Sequence, residues 1–271
     1  ANSLKLKLAI RIADVNDAKA KSMAEEAVAA GVFTSSTDDF VLQYKGTTPN
    51  TNPLWEDLVE SNRSDFVSAS TLVDAMNTLN DPRRPTYFQN PSSLTDYIGG
   101  TPGDNNSYSS TSQPGALQRM PTFPAVLIDF CEVSFLLADA SSRGYNVGGT
   151  PKDHYDNGVT SSIISWGLSA DSATAYLAQA SVAYDTAPGT WKEKIATQKW
   201  IALYDRGFEG WTTYRLYDAP TFAIATQAGT LPPTRFTYPV TEYSLNGENV
   251  EAAGAAMGGD GLFSKVFWDV N

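Results

Sequence analysis

Glu193-Lys194-Ile195-Ala196-Thr197-Gln198-Lys199-Trp200-Ile201-Ala202-Leu203-Tyr204, followed by Gly207-Phe208-Glu209-Gly210-Trp211, is the stretch on which the reading of the chain turns. It predicts two successive helices, over 190–205 and 208–217, with the rings of Trp200, Phe208 and Trp211 packed between helices. Upstream, the pattern predicts a helix over 171–183 and another from Pro151 to Trp166. The latter has start and stop signals: Thr150 and Asp153 as a capping-box-like pair, proline in the first turn and Gly167 after the end. Its buried face carries Tyr155, Val159, Ile163 and Trp166. A further helix is predicted over Phe123 to Arg143, stopped by Gly144.

Nearer the start, Leu4, Leu6, Leu8, Ile10 and Ile12 alternate like a strand, while Leu4, Leu8, Ile12 and Val15 keep helical spacing; helix is the reading adopted. Ala20, Met23, Ala24, Ala27 and Val28 form a helical stripe that begins near Asn16 or Asp17 and is ended by Gly31. Phe66, Ala69, Leu72, Val73, Met76 and Leu79 mark one more helix, closed at Asn80-Asp81-Pro82 because proline disfavours helical geometry in the residue before it. Past 217, Pro220, Pro232, Pro233 and Pro239 predict an extended or turning tail. The fold class is therefore mainly α, with no repeat of fixed period visible.

Two segments escape the helical pattern. Residues 34–62 are rich in Thr, Ser, Asn and Pro and carry Phe40, Tyr44 and Trp55. Residues 83–121 hold Gly99 to Asn106 with Tyr87, Phe88, Tyr97 and Tyr108, too long for a simple connector. Aromatic faces on loops, flanked by polar groups, suit a sugar, whose ring has an apolar face and a hydroxyl rim. The candidate ligand-binding residues are accordingly Trp55, Asn62 and Arg63 on the first segment and Tyr87, Asp104, Asn105 and Tyr108 on the second. The bland alternative is that Trp55 plugs the core beneath its loop and that Asp104 and Asn105 simply turn the chain.

Composition narrows the function classes. The 271 residues, 42% hydrophobic, suffice for a sizeable core, and no run of 18 apolar residues occurs. Nineteen Lys and Arg against 30 Asp and Glu give a net charge of -11, which argues against nucleic acid and anionic lipid as partners. The one cysteine, Cys131, reads as core. The one histidine, His154, has no partner at metal spacing and no nucleophile elbow to serve, so no catalytic residue is assigned. Asp153 to Gly158 resembles a calcium loop only superficially, since a helix there scatters its carboxylates. No metal and no cofactor is expected. Two distant carboxylates could still make a glycoside hydrolase, and that alternative stays open, as does a helical-repeat protein-interaction scaffold.

Together with the opening stretch, Arg235-Phe236-Thr237-Tyr238-Pro239 and Glu242-Tyr243-Ser244-Leu245-Asn246 resemble the SusD/RagB-like family, in its starch-binding-associated branch. Supporting words are Asp81-Pro82-Arg83, the Glu132 to Ala140 helix, Tyr155 to Gly158, Tyr176-Leu177 and Lys265-Val266-Phe267-Trp268-Asp269. The resemblance runs across all 271 residues, as a single domain. It implies a tetratricopeptide-like helical-repeat scaffold packed against a loop-rich ligand-binding region. It also implies non-catalytic binding of oligo- or polysaccharide on the outer face of the outer membrane, and delivery to a SusC-like TonB-dependent transporter. Family members begin upstream of the motif matched by Ala1 to Ile12 and carry a lipid-bearing N-terminal cysteine, so the expectation is the larger, C-terminal part of such a lipoprotein. The motif words themselves read as scaffold.

Overall fold

The computed structural model describes residues 1–270. In chain order its elements are α1 (Asn2–Arg11), α2 (Asp17–Ala29), β1 (Phe40–Leu42), α3 (Pro53–Trp55), α4 (Ser70–Thr78), α5 (Arg84–Tyr87), β2 (Phe88–Gln89) and β3 (Gln113–Pro114). There follow β4 (Ala125–Ile128), α6 (Phe130–Ser142), α7 (Pro151–Ser165), α8 (Ala170–Leu177), α9 (Trp191–Ala202), α10 (Gly207–Tyr217), α11 (Val240–Leu245) and α12 (Gly247–Ala256). The fold is helix-dominated, as expected. The strands form only two antiparallel pairs, β1 with β4 and β2 with β3.

Helix starts follow the side-chain chemistry. Asn16, Asp129, Thr150, Ser169 and Thr190 each accept a hydrogen bond from the first turn of the helix that follows, satisfying a backbone N–H that has no partner within the helix. Thr150 with Asp153 and Thr190 with Glu193 close reciprocal capping boxes.

α6 is the axis. Cys131 to Ala140 are all buried, and the helix packs against α1, α7 and α9. One side of the core joins Leu6 and Ile10 of α1, Ala20 and Ala24 of α2 and Val133 and Leu136 of α6. A second joins Phe135 of α6, Tyr155 and Val159 of α7, Tyr176 of α8 and Ile195 of α9. The third lies beneath the loops, where Val73 and Met76 of α4 meet Tyr87, Phe88, Trp166 and Ile201.

A helix buried all round must neutralise its polar side chains. Glu132 receives Lys7 Nζ at 2.9 Å and Arg206 Nη2 at 2.8 Å. Asp139 accepts from Arg143 Nε at 2.6 Å and Tyr217 OH at 2.7 Å. These bonds tie α1, α6 and α10 into one block that holds the turn between α9 and α10.

Three expectations need correction. Residues 125–128 are strand, not the start of the helix, because they pair with β1 and Asp129 caps α6. Phe66 and Ala69 precede α4: Ser68 and Ser70 instead exchange backbone hydrogen bonds with Gly100 and Ser112. The tail also contains α11 and α12; Pro239 stands at the N-cap of α11, where a missing N–H costs nothing.

Candidate functional site

Loop-borne candidates scatter on the structure. Tyr87 is a correction: it is fully buried, stacked on Tyr204 at 4.6 Å and 14°, and donates its hydroxyl to the Ile201 carbonyl at 3.0 Å. Packing of α5 and β2 against α4 and α9 puts this ring, with Phe88, in the core rather than toward solvent. Trp55 is half-buried at the end of α3, ahead of a π-helical turn over Glu56–Glu60. Asn62 is exposed with φ 55°, and Arg63 is occupied by Asp65 and lies over the Phe66 ring at 4.7 Å.

Asp104 and Asn105 are exposed on a turn held chiefly by Asn106, whose side chain bonds both Thr101 N and Thr101 O. Tyr108 is half-buried at the start of a 3-10 turn. The two loop segments do meet, with Asn52 N donating to the Pro121 carbonyl at 2.8 Å and Leu54 and Leu58 sharing a hollow with Pro114 and Gln118, none of them among the named residues.

Cavities converge instead on the turn Leu203 to Arg206, between α9 and α10. On one side is a hollow of about 280 Å³ lined by Trp200, Tyr204, Trp211, Tyr214 and Phe222. Tyr214 and Phe222 meet edge-on at 4.5 Å and Trp200 and Phe222 at 5.4 Å. Gly207 opens its wall, where an added Cβ would meet nothing within 4 Å. On the other side lies a cleft of about 410 Å³ between β4, the Asn52 segment and the start of α10, with Tyr44, Asn52, Asp205, Arg206, Phe208 and Glu209 on its walls. Gly207 lines both hollows. A smaller hollow of about 180 Å³ runs under the loops past Leu54, Phe66, Tyr204 and Asp205.

Aromatic packing also departs from expectation. Phe208 is 72% exposed, and Trp211 donates Nε1 to the Pro233 carbonyl at 2.6 Å and meets Phe236 at 5.4 Å. These rings face the tail and solvent, not a helix-helix seam. Arg215 lies 3.6 Å from the Trp211 ring centre and fixes that ring from behind.

Electrostatically the turn is short of positive charge. Arg206 is spent on Asp129 at 3.2 Å and Glu132 at 2.8 Å, and Glu209 takes Lys7 at 2.8 Å. Burial pushes the Asp205 carboxyl up to about 6, with Arg206 pulling it back and Asp129 pushing it further. Burial likewise raises Asp39. Among the described residues no group of His, Cys, Asp and Glu could hold a metal ion, and Cys131 is buried with its Sγ against Gly158 O at 3.3 Å.

Loop composition drew the search to 34–62 and 83–121 and missed this turn. The signal was present in Trp200 and Tyr204 four residues apart, and in Trp211 and Tyr214 three apart, flanking Asp205-Arg206-Gly207.

Comparison with known proteins agrees with this architecture. The profile of a SusD-like family, described as starch-binding and associating with the outer membrane, matches residues 1–239. No curated protein matches. A SusD homologue from Bacteroides uniformis superposes with TM-score 0.87 at 31% identity, over 100% of this chain and 64% of that one. A SusD homologue from Bacteroides ovatus gives 0.82 at 30%, over 100% and 65%. A chitin-binding SusD homologue from Flavobacterium johnsoniae gives 0.82 at 29%, over 100% and 62%. The chain thus spans a little under two thirds of the length of these solved structures. The description of the family is one of binding, with no catalytic step in it. A profile that matches most of the chain, and a helical architecture shared along its whole length, make this chain a member of the SusD-like family.

Proposed function

We propose that this chain binds glycans, without cleaving them, at the outer-membrane surface, as part of a lipid-anchored protein that passes its ligand to a SusC-like TonB-dependent transporter. Family membership and the chitin-binding relative support the ligand class. The observation that carries the reading is the five-ring hollow at the α9–α10 turn, beside a cleft that sets Tyr44, Asn52, Asp205 and Glu209 among apolar side chains. Rings take the apolar face of a sugar, and Asn52, Tyr44 and the carboxylates take its hydroxyls. Trp55, Asn62, Arg63, Asp104, Asn105 and Tyr108 on the loops are the rival location within the same reading.

Calorimetric titration with malto- and chito-oligosaccharides tests both points. Tyr214 is half-buried and leans on Phe222 alone among the aromatic pairs, so Tyr214→Ala removes a wall of the hollow with little damage to the core. The expected loss is ~1–3 kcal/mol of binding, the range for stacking on an aromatic ring. Unchanged affinity in folded Tyr214→Ala, with loss in Trp55→Ala or Tyr108→Ala, moves the site to the loops. Absence of binding to every oligosaccharide overturns the function.

A further inference from the structure

Asp205 lines three hollows: the cleft beside β4, the hollow beneath the loops and a third, of about 180 Å³, also lined by Asp39, Asp129, Trp166 and Arg206. Its Oδ1 is shut off from solvent and receives no hydrogen bond. An ionised carboxylate in that state costs free energy until a donor or a cation reaches it. The adjacent guanidinium, Arg206, is paired with Asp129 and Glu132, and although its Nε has no hydrogen-bond partner it makes no bond to Asp205. Lys7 and Arg11 are directed to Glu132 and Glu209.

A metal ion needs several ligands at once, and among the described residues no group of three or more His, Cys, Asp or Glu could hold one. A protonated amine asks for less: one carboxylate to receive its hydrogens and an aromatic face beside it. Both are present, because Tyr204 and Phe66 line the hollow that Asp205 enters from the turn. Resting on the glycan reading above, we propose that the hollow beneath the loops at Asp205 accepts an ammonium group carried by the sugar, and so selects glycans containing amino sugars whose nitrogen is not acylated.

A consequence for pH follows from the groups around the site: Arg206 and Tyr204 on the same turn, Glu209 on α10, Asp129 at the start of α6, Asp39 before β1 and Asp57 after α3. Arg206 and Glu209 are held in ion pairs, and Asp57 lies 3.9 Å from Arg63. Asp39 and Asp129 do not line the hollow beneath the loops, so Asp205 is there the group whose charge meets the amine. Burial places its carboxyl at about 6, so amine affinity falls as pH is lowered through that value and the carboxylate becomes neutral.

The experiment compares glucosamine and N-acetylglucosamine oligomers of equal length by calorimetry, on the parent and on Asp205→Asn. Cyclohexylamine and cyclohexanol, followed by NMR at the Asp205 carboxyl, serve as sugar-free probes. The parent should favour the free-amine oligomer by about tenfold or more, as expected for a charged hydrogen bond, and Asp205→Asn should bring the ratio close to one. Cyclohexylamine, and not cyclohexanol, should shift the Asp205 resonance. Equal affinity of the parent for both oligomers, or a preference that survives in Asp205→Asn, overturns the proposal while leaving the glycan reading intact. If no oligomer binds, the glycan reading fails; a silent cyclohexylamine titration would then sink the ammonium site as well, and a shifted Asp205 would uphold it.

Discussion

At the scale of single residues, two carboxylates show how the same burial leads to opposite pH behaviour. Burial alone would raise Asp14, yet hydrogen bonds from Arg143 at 2.7 Å and Lys192 at 2.9 Å hold it down at about 2. Its ion pairs therefore stabilise the fold above the ordinary value of 3.8 and are lost as pH falls toward 2. Asp205 has no such donors and rises from 3.8 to about 6, so the fold prefers its neutral form. Its stabilising contribution is present below pH 3.8 and disappears as pH climbs through 6. Asp205→Asn, neutral at every pH, should then be more stable than the parent by ~1–3 kcal/mol at pH 8. The two proteins should converge near pH 4. Melting curves across that range decide it: a variant less stable than the parent at pH 8 would mean that Asp205 has a partner in the fold. A residue that costs stability in the empty protein is what a binding position predicts.

Between elements, the most extensive seam is α6 against α7. A Cβ at Gly158 would sit 2.9 Å from two atoms of the Phe135 ring, which itself meets Tyr155 edge-on at 6.1 Å. Gly158→Ala gains about 1 kcal/mol of helix propensity but must displace a ring in the core, at a cost of ~1–3 kcal/mol. The expected net result is a lower midpoint in urea with an unchanged slope; a higher midpoint would show that Phe135 has room to turn. Helices of this kind were legible in the sequence because their signals are local: the Ala20 to Val28 stripe, and Thr150 with Asp153 around Pro151. What was not legible depended on contacts far along the chain. Ala125 to Ile128 read as helix because the strand that pairs with it lies at Phe40 to Leu42. Tyr87 read as a loop aromatic because its stacking partner is Tyr204. The candidate cleft joins Tyr44 and Asn52 to Asp205, and neither loop composition nor periodicity carries that juxtaposition.

Across the whole molecule, separate motif words converge on one buried point. Arg83 and Asp81 have no exposed surface and are joined by Nη2 to Oδ2 at 2.5 Å and Nε to Oδ1 at 2.9 Å. The same guanidinium donates to Ser162 of α7 at 2.8 Å and Gln198 of α9 at 3.2 Å, and Gln198 donates to the Tyr176 hydroxyl of α8 at 3.0 Å. Four parts of the chain are thus fixed around one planar cation, which brings words as distant as Asp81-Pro82-Arg83, Tyr176-Leu177 and the 193–204 stretch to one point. The hub lies on α9, the helix that carries Trp200 toward the candidate site, so the scaffold and the binding surface share one rigid element. Asp81→Ala would leave the guanidinium buried with only neutral acceptors, and the expected cost is ~3–5 kcal/mol in thermal or urea unfolding. Loss of packing alone would not be mended by removing the cation, whereas an unpaired charge would be. The double change Asp81→Ala with Arg83→Met should therefore recover a substantial part of the stability lost in Asp81→Ala. If the double variant is as unstable as the single one, the hub acts through shape and hydrogen bonding rather than through charge. If Asp81→Ala costs less than about 1 kcal/mol, Arg83 does not hold the four segments together.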